Sequence, residues 1–93
     1  MNLNNLGLIN KARGLICGED KVCEKLRNEE VFYIFLAKDS GKNTLKKIND
    51  KASFYNVEVN LDYTSYELSQ ILGKENVHVV GITNRGFLKI IEK

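Results

Sequence analysis

Proline is absent from these 93 residues, and no low-complexity stretch or internal repeat interrupts them. An interdomain linker has nothing to be built from, so residues 1–93 read as one domain. Cysteine occurs twice, at Cys17 and Cys23, and histidine once, at His78. The cysteines form no C-x-x-C pair, and two thiols with one imidazole make a poor zinc set. They read as free thiols of a reducing compartment. No phosphate-cradling G-x-x-x-x-G-K-[S/T] loop occurs, and no G-x-G-x-x-G follows a strand, so nucleotide binding has no support. The longest apolar run, residues 31–37, is far too short to span a bilayer. The first eight residues lack the basic start and long apolar stretch of a secretory signal. These absences predict a cytoplasmic protein with no membrane partner, no cofactor and no metal.

Catalytic chemistry is equally thin. His78 lies in an apolar strand pattern, where a lone histidine is a packed or edge residue, and no second histidine completes a pair. Cys17 precedes a helix start, which can lower a thiol pKa, but Glu19 and Asp20 oppose that shift. The chain is expected not to be an enzyme.

What is present is an ordinary globular mixture. Hydrophobic residues make up 43% and charged residues 28%, enough for one modest core. The formal charge of +2 permits a nucleic acid partner without arguing for one. Basic residues must then be gathered on one surface.

The pattern alternates helices with short strands. Asn4 or Asn5 is placed to cap a first helix that runs to Arg13 and buries Leu6, Ile9 and Ala12. Gly14 ends it, and Leu15–Cys17 is a short strand. Gly18 turns into a second helix, residues 19–28, with Glu19 and Asp20 in the first turn and Val22, Cys23 and Leu26 buried. Residues 31–37 are apolar almost throughout, which predicts a central strand covered on both faces. Asp39, Ser40 and Gly41 turn into a third helix, residues 42–55, burying Leu45, Ile48, Ala52 and Tyr55. Its Lys42, Lys46, Lys47 and Lys51 read as a solvated face. Val57, Val59 and Leu61 alternate as a half-exposed strand. Ser65 is placed to cap a helix over 66–72 that stops at Gly73. Residues 77–82 form another buried strand, and Thr83 or Asn84 opens a last helix with Phe87, Leu88 and Ile91 inward. Arg85, Lys89 and Lys93 line a second stripe of it. Helices between strands require crossovers, so the fold class is α/β, a three-layer α/β/α sandwich. Strand order does not follow from this pattern.

Residues 6–19, L-G-L-I-N-K-A-R-G-L-I-C-G-E, resemble the opening of small bacterial members of the L-seven-Ae/L-thirty-e ribosomal-protein superfamily, the YlxQ type. The strand V-F-Y-I-F-L-A-K-D at 31–39, the lysine-rich helix at 43–55 and Y-E-L-S-Q-I-L-G at 66–73 resemble further family segments in order. The resemblance extends over most of the chain, from Leu6 to Leu88. It implies a small mixed four-stranded sheet in the sandwich.

The resemblance also implies a partner: structured RNA, either a kink-turn or ribosomal RNA. The family's kink-turn motif, G-x-N-E-x-x-K, sits at the start of the second helix. There, backbone N–H groups and the helix dipole attract phosphate. First-turn side chains reach base edges that a kink exposes. Here Gly18 is kept and Glu19 takes the variable position. Asp20 stands for asparagine, Lys21 for glutamate and Glu24 for lysine. An ionised Asp20 accepts hydrogen bonds but donates none, and Glu24 reverses the charge. Further RNA contacts are expected from Lys11 and Arg13, from Lys38 after the central strand, and from Lys74, Asn76 and Val77 in the segment resembling the family's specificity loop. The implied protein is a monomer in a ribonucleoprotein setting, with ribosomal proteins as possible neighbours. A second expectation, from another class, is a protein-interaction module that kept the fold and lost the RNA site. It predicts an exposed apolar patch near Asn76 and Val77.

Overall fold

The structure, a computed structural model, describes residues 4–91. In chain order its elements are α1 (Asn4–Lys11), β1 (Leu15–Cys17), α2 (Glu19–Arg27), β2 (Tyr33–Leu36), α3 (Lys42–Phe54), β3 (Val59–Asn60), α4 (Ser65–Leu72) and β4 (Val79–Ile82). A 3₁₀ turn, Arg85–Phe87, then leads into the short α5, Leu88–Ile91.

The four strands form one sheet in the order β1-β4-β2-β3. β4 pairs antiparallel with both β1 and β2, and β2 pairs parallel with β3, so the sheet is mixed. β2 and β4 are interior, which explains their apolar sequences: all four residues of each are buried. Successive side chains of β2 leave opposite faces. Tyr33 and Phe35 join Leu6, Ile9, Leu68 and Leu72 of α1 and α4 on one face. Ile34 and Leu36 join Val22, Leu26, Ile48 and Ala52 of α2 and α3 on the other. The fold is therefore the expected three-layer α/β sandwich. Fully burying a side chain such as Phe35 or Ile34 is worth roughly 1.5–3 kcal/mol.

Several boundaries differ from the sequence expectation for identifiable reasons. Among the described residues α1 is helical from Asn4 onward, so Asn4 and Asn5 lie within it and not in a capping position. It ends at Lys11, because Arg13 takes a left-handed conformation (φ 59°) one residue before Gly14. Gly14 is needed for space instead: a Cβ there would lie 2.2 Å from the Phe87 ring. Ala12, expected inside, is exposed. Thr64, not Ser65, caps α4, and it forms a capping box with Glu67. The strands expected over 57–61 and 77–82 pair over fewer residues, Val59–Asn60 and Val79–Ile82. Asn84 opens the 3₁₀ turn by accepting from the Gly86 N–H.

Candidate nucleic-acid interface

Gly18 sits at the hinge between sheet and helix. Its φ of 109° lies where side chains are strained, and nothing stands within 4 Å of where a Cβ would project. The requirement is therefore conformational. Its N–H donates to the Val79 carbonyl at 2.9 Å, and its own carbonyl accepts from Val22 N–H at 3.0 Å. The start of α2 is thus fixed to β4. Gly18 has no side chain to cap the helix, so the first-turn amides and the positive end of the dipole face outward.

Strand register decides what surrounds this point. Cys17 is opposite Val80, and Leu36 is opposite Val79. The Ala37 N–H donates to the His78 carbonyl at 2.8 Å. Gly18, Lys38 and Asn76 therefore share one end of the sheet. Lys21 and Lys74 belong there too. Burial pushes the Cys17 thiol pKa up, while the charges of Lys74 and Lys21 both act against that rise. Two lysines from distant segments thus stand within electrostatic reach of the sulfur beside Gly18. Lys38 is exposed, and its N–H is held by the Tyr63 carbonyl at 2.9 Å.

One acidic residue of this segment, Glu19, has side-chain partners on the next helix. Glu19 accepts from the Thr44 hydroxyl at 2.8 Å and from Lys47 Nζ at 3.0 Å, both on α3. These bonds, Lys47's first, hold its carboxyl pKa below the ordinary value. Glu19, offered for the RNA site and also as a helix-start acid, uses its carboxylate to tie α2 to α3. Lys47 stays exposed on α3, as expected, and pairs across to α2 from there. Asp20 and Glu24 line a groove shared with Lys47 and Lys51. Negative charge that departs from the family motif is thereby set against positive charge from the next helix.

Val77, Lys11 and Arg13 lie apart from this surface, whereas Asn76 stays on it. Val77 is buried in the core, only 5% exposed, and its N–H donates to Ser69 Oγ at 2.9 Å. It has no apolar surface to offer RNA, and the patch expected of a protein-interaction module does not form at that residue. Asn76 is exposed, with a left-handed φ of 55°. Lys11 and Arg13 are exposed at the opposite end of β1, where the Thr83 N–H meets the Gly14 carbonyl. A three-residue strand, roughly 10 Å long, separates them from Gly18.

Some of the local architecture had no sequence signal. His78 Nδ1 lies 3.4 Å from the hydroxyl of the buried Ser40. Asp39 Oδ1 accepts from the Ser65 N–H at 2.8 Å, joining the turn after β2 to the start of α4. Tyr66, on α4, is 73% exposed. Helical spacing could have shown that it lies off the buried Leu68 and Leu72 stripe, but not what lies beside it. Among the described residues, no three His, Cys, Asp or Glu side chains gather as a metal site would require. Nor is any helix among them long and apolar enough to cross a membrane.

Comparison with known proteins agrees over most of the chain. The model of the ribosomal protein L7Ae/L30e/S12e/Gadd45 family matches residues 3–92. The chain is similar to a Bacillus subtilis protein named RNA-binding protein YlxQ, 38% identical over 82 residues, covering 88% of this chain and 82% of that one. An Enterococcus faecium protein of the same name is 38% identical over 87 residues, covering 94% and 84%. A solved Bacillus halodurans protein described as of unknown function superposes with a TM-score of 0.91 at 32% identity, over 97% of this chain and 91% of that one. A Giardia lamblia 15.5 kD RNA binding protein shares the fold, with a TM-score of 0.83 at 11% identity, over 96% and 76%.

Proposed function

Because the chain belongs to the ribosomal protein L7Ae/L30e/S12e/Gadd45 family, we propose that it is an RNA-binding protein, not an enzyme, and that it takes structured RNA at the sheet end where α2 begins. Two relatives at 38% identity carry RNA binding in their names, which supports the general activity. The observation that carries the site is the uncapped start of α2, fixed to β4 by the Gly18–Val79 hydrogen bond, with Lys21 in its first turn and Lys74 beside Asn76 and His78 at the same end of the sheet. Backbone amides and helix dipole hold a phosphate there, the two lysines hold its neighbours, and Lys38 extends the basic rim. The carboxylates that oppose this are set against α3 lysines, Glu19 most directly.

A bent RNA suits this surface better than a straight one. The narrow groove of A-form duplex hides its base edges, and a kink opens them. The reading is therefore of a kink-turn or a similarly bent ribosomal element, bound by a cytoplasmic monomer of one domain that works in a ribonucleoprotein. Lys11 and Arg13 lie outside the proposed contact.

A titration of the protein with a kink-turn RNA, a ribosomal RNA fragment and a plain duplex, between about 50 and 200 mM salt, tests this. The kink-turn or ribosomal RNA should bind more tightly than the duplex, and affinity should fall as salt rises. Equal affinity for all three would remove the bent-RNA reading. Absence of binding to any of them at low salt would remove RNA binding itself.

A further inference from the structure

A second concavity lies at the far end of the sheet from Gly18, where the Phe32 N–H donates to the Ile82 carbonyl at 2.8 Å. Its volume is about 320 Å³, at the small end of the range for ligand sites. Leu26, Val31, Val57 and Leu88 give it an apolar lining, and Glu29 and Arg85 add one charge of each sign. We propose that this pocket binds a free α-amino acid with a large apolar side chain. Arg85 holds the carboxylate, Glu29 holds the ammonium group, and the side chain enters among the apolar residues. The proposal stands apart from the RNA-binding reading, since none of Lys21, Lys38 and Lys74 borders this pocket.

Arg85 is the reason to think of a carboxylate. Its guanidinium carbon lies 4.8 Å from the centre of the Phe32 ring, over the face. Attraction to a ring face orients the guanidinium and leaves N–H donors free at its edge, where a carboxylate accepts two at once. The backbone beneath it is fixed. Asn84 Oδ1 accepts from the Gly86 N–H at 2.8 Å, and the Phe87 N–H donates to the Asn84 carbonyl at 3.1 Å. Phe87 itself packs on the core, against Gly14. The charge is thus presented from an anchored turn, so little backbone order has to be gained on binding.

The ammonium end is favoured by α2 and α3. Both helices finish at the pocket: Leu26 lies in the last turn of α2 with Glu29 just beyond it, and Tyr55 and Asn56 follow the last turn of α3. The carboxyl end of a helix carries partial negative charge that favours a cation, and Glu29 adds a full one. A plain acid would meet the like charge of Glu29, and a plain amine that of Arg85. A zwitterion finds an opposite charge for each of its own. The apolar lining then selects among zwitterions by their side chains.

The test titrates the intact, isotope-labelled protein and follows its amide resonances. The probes are leucine, phenylalanine, glycine and two relatives of leucine that each lack one charge: isoamylamine without the carboxylate and isocaproate without the ammonium. The amides of Phe32, Tyr55 and Arg85 should shift and saturate with leucine or phenylalanine. Glycine, isoamylamine and isocaproate should each bind roughly tenfold weaker or more, because each lacks one of the three contacts. Arg85→Gln should weaken leucine by a similar factor and leave isoamylamine no weaker. Glu29→Gln should weaken leucine and leave isocaproate no weaker. Both side chains are exposed, so both variants should fold as the wild type does. The proposal fails if neither amino acid moves these amides in the millimolar range, or if either one-charge relative binds as tightly as leucine. It fails too if either substitution weakens every probe alike. None of these outcomes touches the α2 site.

Discussion

Glu19 shows how one side chain can be placed at a binding surface and belong to the scaffold. Its carboxylate spans from the first turn of α2 to Thr44 and Lys47 on α3, positions 25 and 28 residues further along. A separation of that size is invisible to local pattern, so the sequence offers Glu19 as a free acid beside a phosphate site. The bonds have a pH signature. The Glu19 pKa is lowered from its ordinary 4.5, so its contribution to stability is present above that value and is lost as pH falls through the folded value. The Lys47 pKa is raised from 10.5, so the lysine's contribution is present below that value and is lost as pH rises through the folded one. The pair should be fully effective between about pH 5 and 10. Urea unfolding of the wild type and Glu19→Gln should differ in midpoint across that window and converge as pH falls through the lowered folded value of Glu19. Both groups are partly solvated, at 33% and 44% exposure, so the difference should also shrink in high salt. A gap that persisted in acid, after the carboxylate is protonated in the folded state too, would assign Glu19 some role other than this ion pair.

At the scale of elements, α1, α2, α3 and α4 all close in the same way. A left-handed residue follows the last turn: Arg13 at φ 59°, Glu29 at 56°, Asn56 at 58° and Gly73 at 64°. In each the left-handed N–H bonds three residues back and the next N–H five back, as in Glu29 N–H to Leu26 and Glu30 N–H to Lys25, both at 2.9 Å. This is the Schellman arrangement, and glycine is its usual occupant. Gly73 was legible as a stop for that reason, whereas Arg13 and Glu29 carried no such sign, and the ends of α1 and α2 were misplaced accordingly. The helix interiors were legible because buried residues recur at three and four. The strand order was not, because it depends on which crossover passes over which face, and no local pattern encodes that. A left-handed conformation costs an ordinary residue about 1–2 kcal/mol, and glycine returns roughly 0.5–1 of that as extra unfolded-state freedom. Glu29→Gly should therefore stabilise the protein by about 0.5–1 kcal/mol. The check is a urea midpoint that rises with an unchanged slope. Glu29→Ala, which keeps the strain, should give no such gain.

Across the whole molecule, the two ends of the sheet divide the basic residues. Lys21, Lys38 and Lys74 stand with Gly18 at one end, and Lys11 and Arg13 stand with Gly14 and Thr83 at the other. Lys21 was visible through Gly18 and the helix that follows it, Lys38 through its place after the central strand, and Lys74 through the segment that resembles the family's specificity loop. Lys11 and Arg13 were offered for the same RNA from their neighbouring segment, and β1 carries them to the far end of the sheet from Gly18. Val77, offered for RNA from the same loop as Lys74, has its side chain packed in the core, which no local pattern in the loop signals. The division can be read from salt dependence. Each phosphate that a lysine neutralises contributes roughly 0.7–0.9 to the slope of log K against log salt concentration. A net charge of only +2 and three lysines at the site predict a shallow slope, about −2 to −3. Lys21→Ala and Lys74→Ala should each reduce its magnitude by about 1 and weaken binding at low salt. Lys11→Ala and Arg13→Ala should leave slope and affinity where they were. If instead the second pair flattens the slope and the first does not, the RNA lies across the Gly14 end, and the assignment of the α2 start as its seat is wrong.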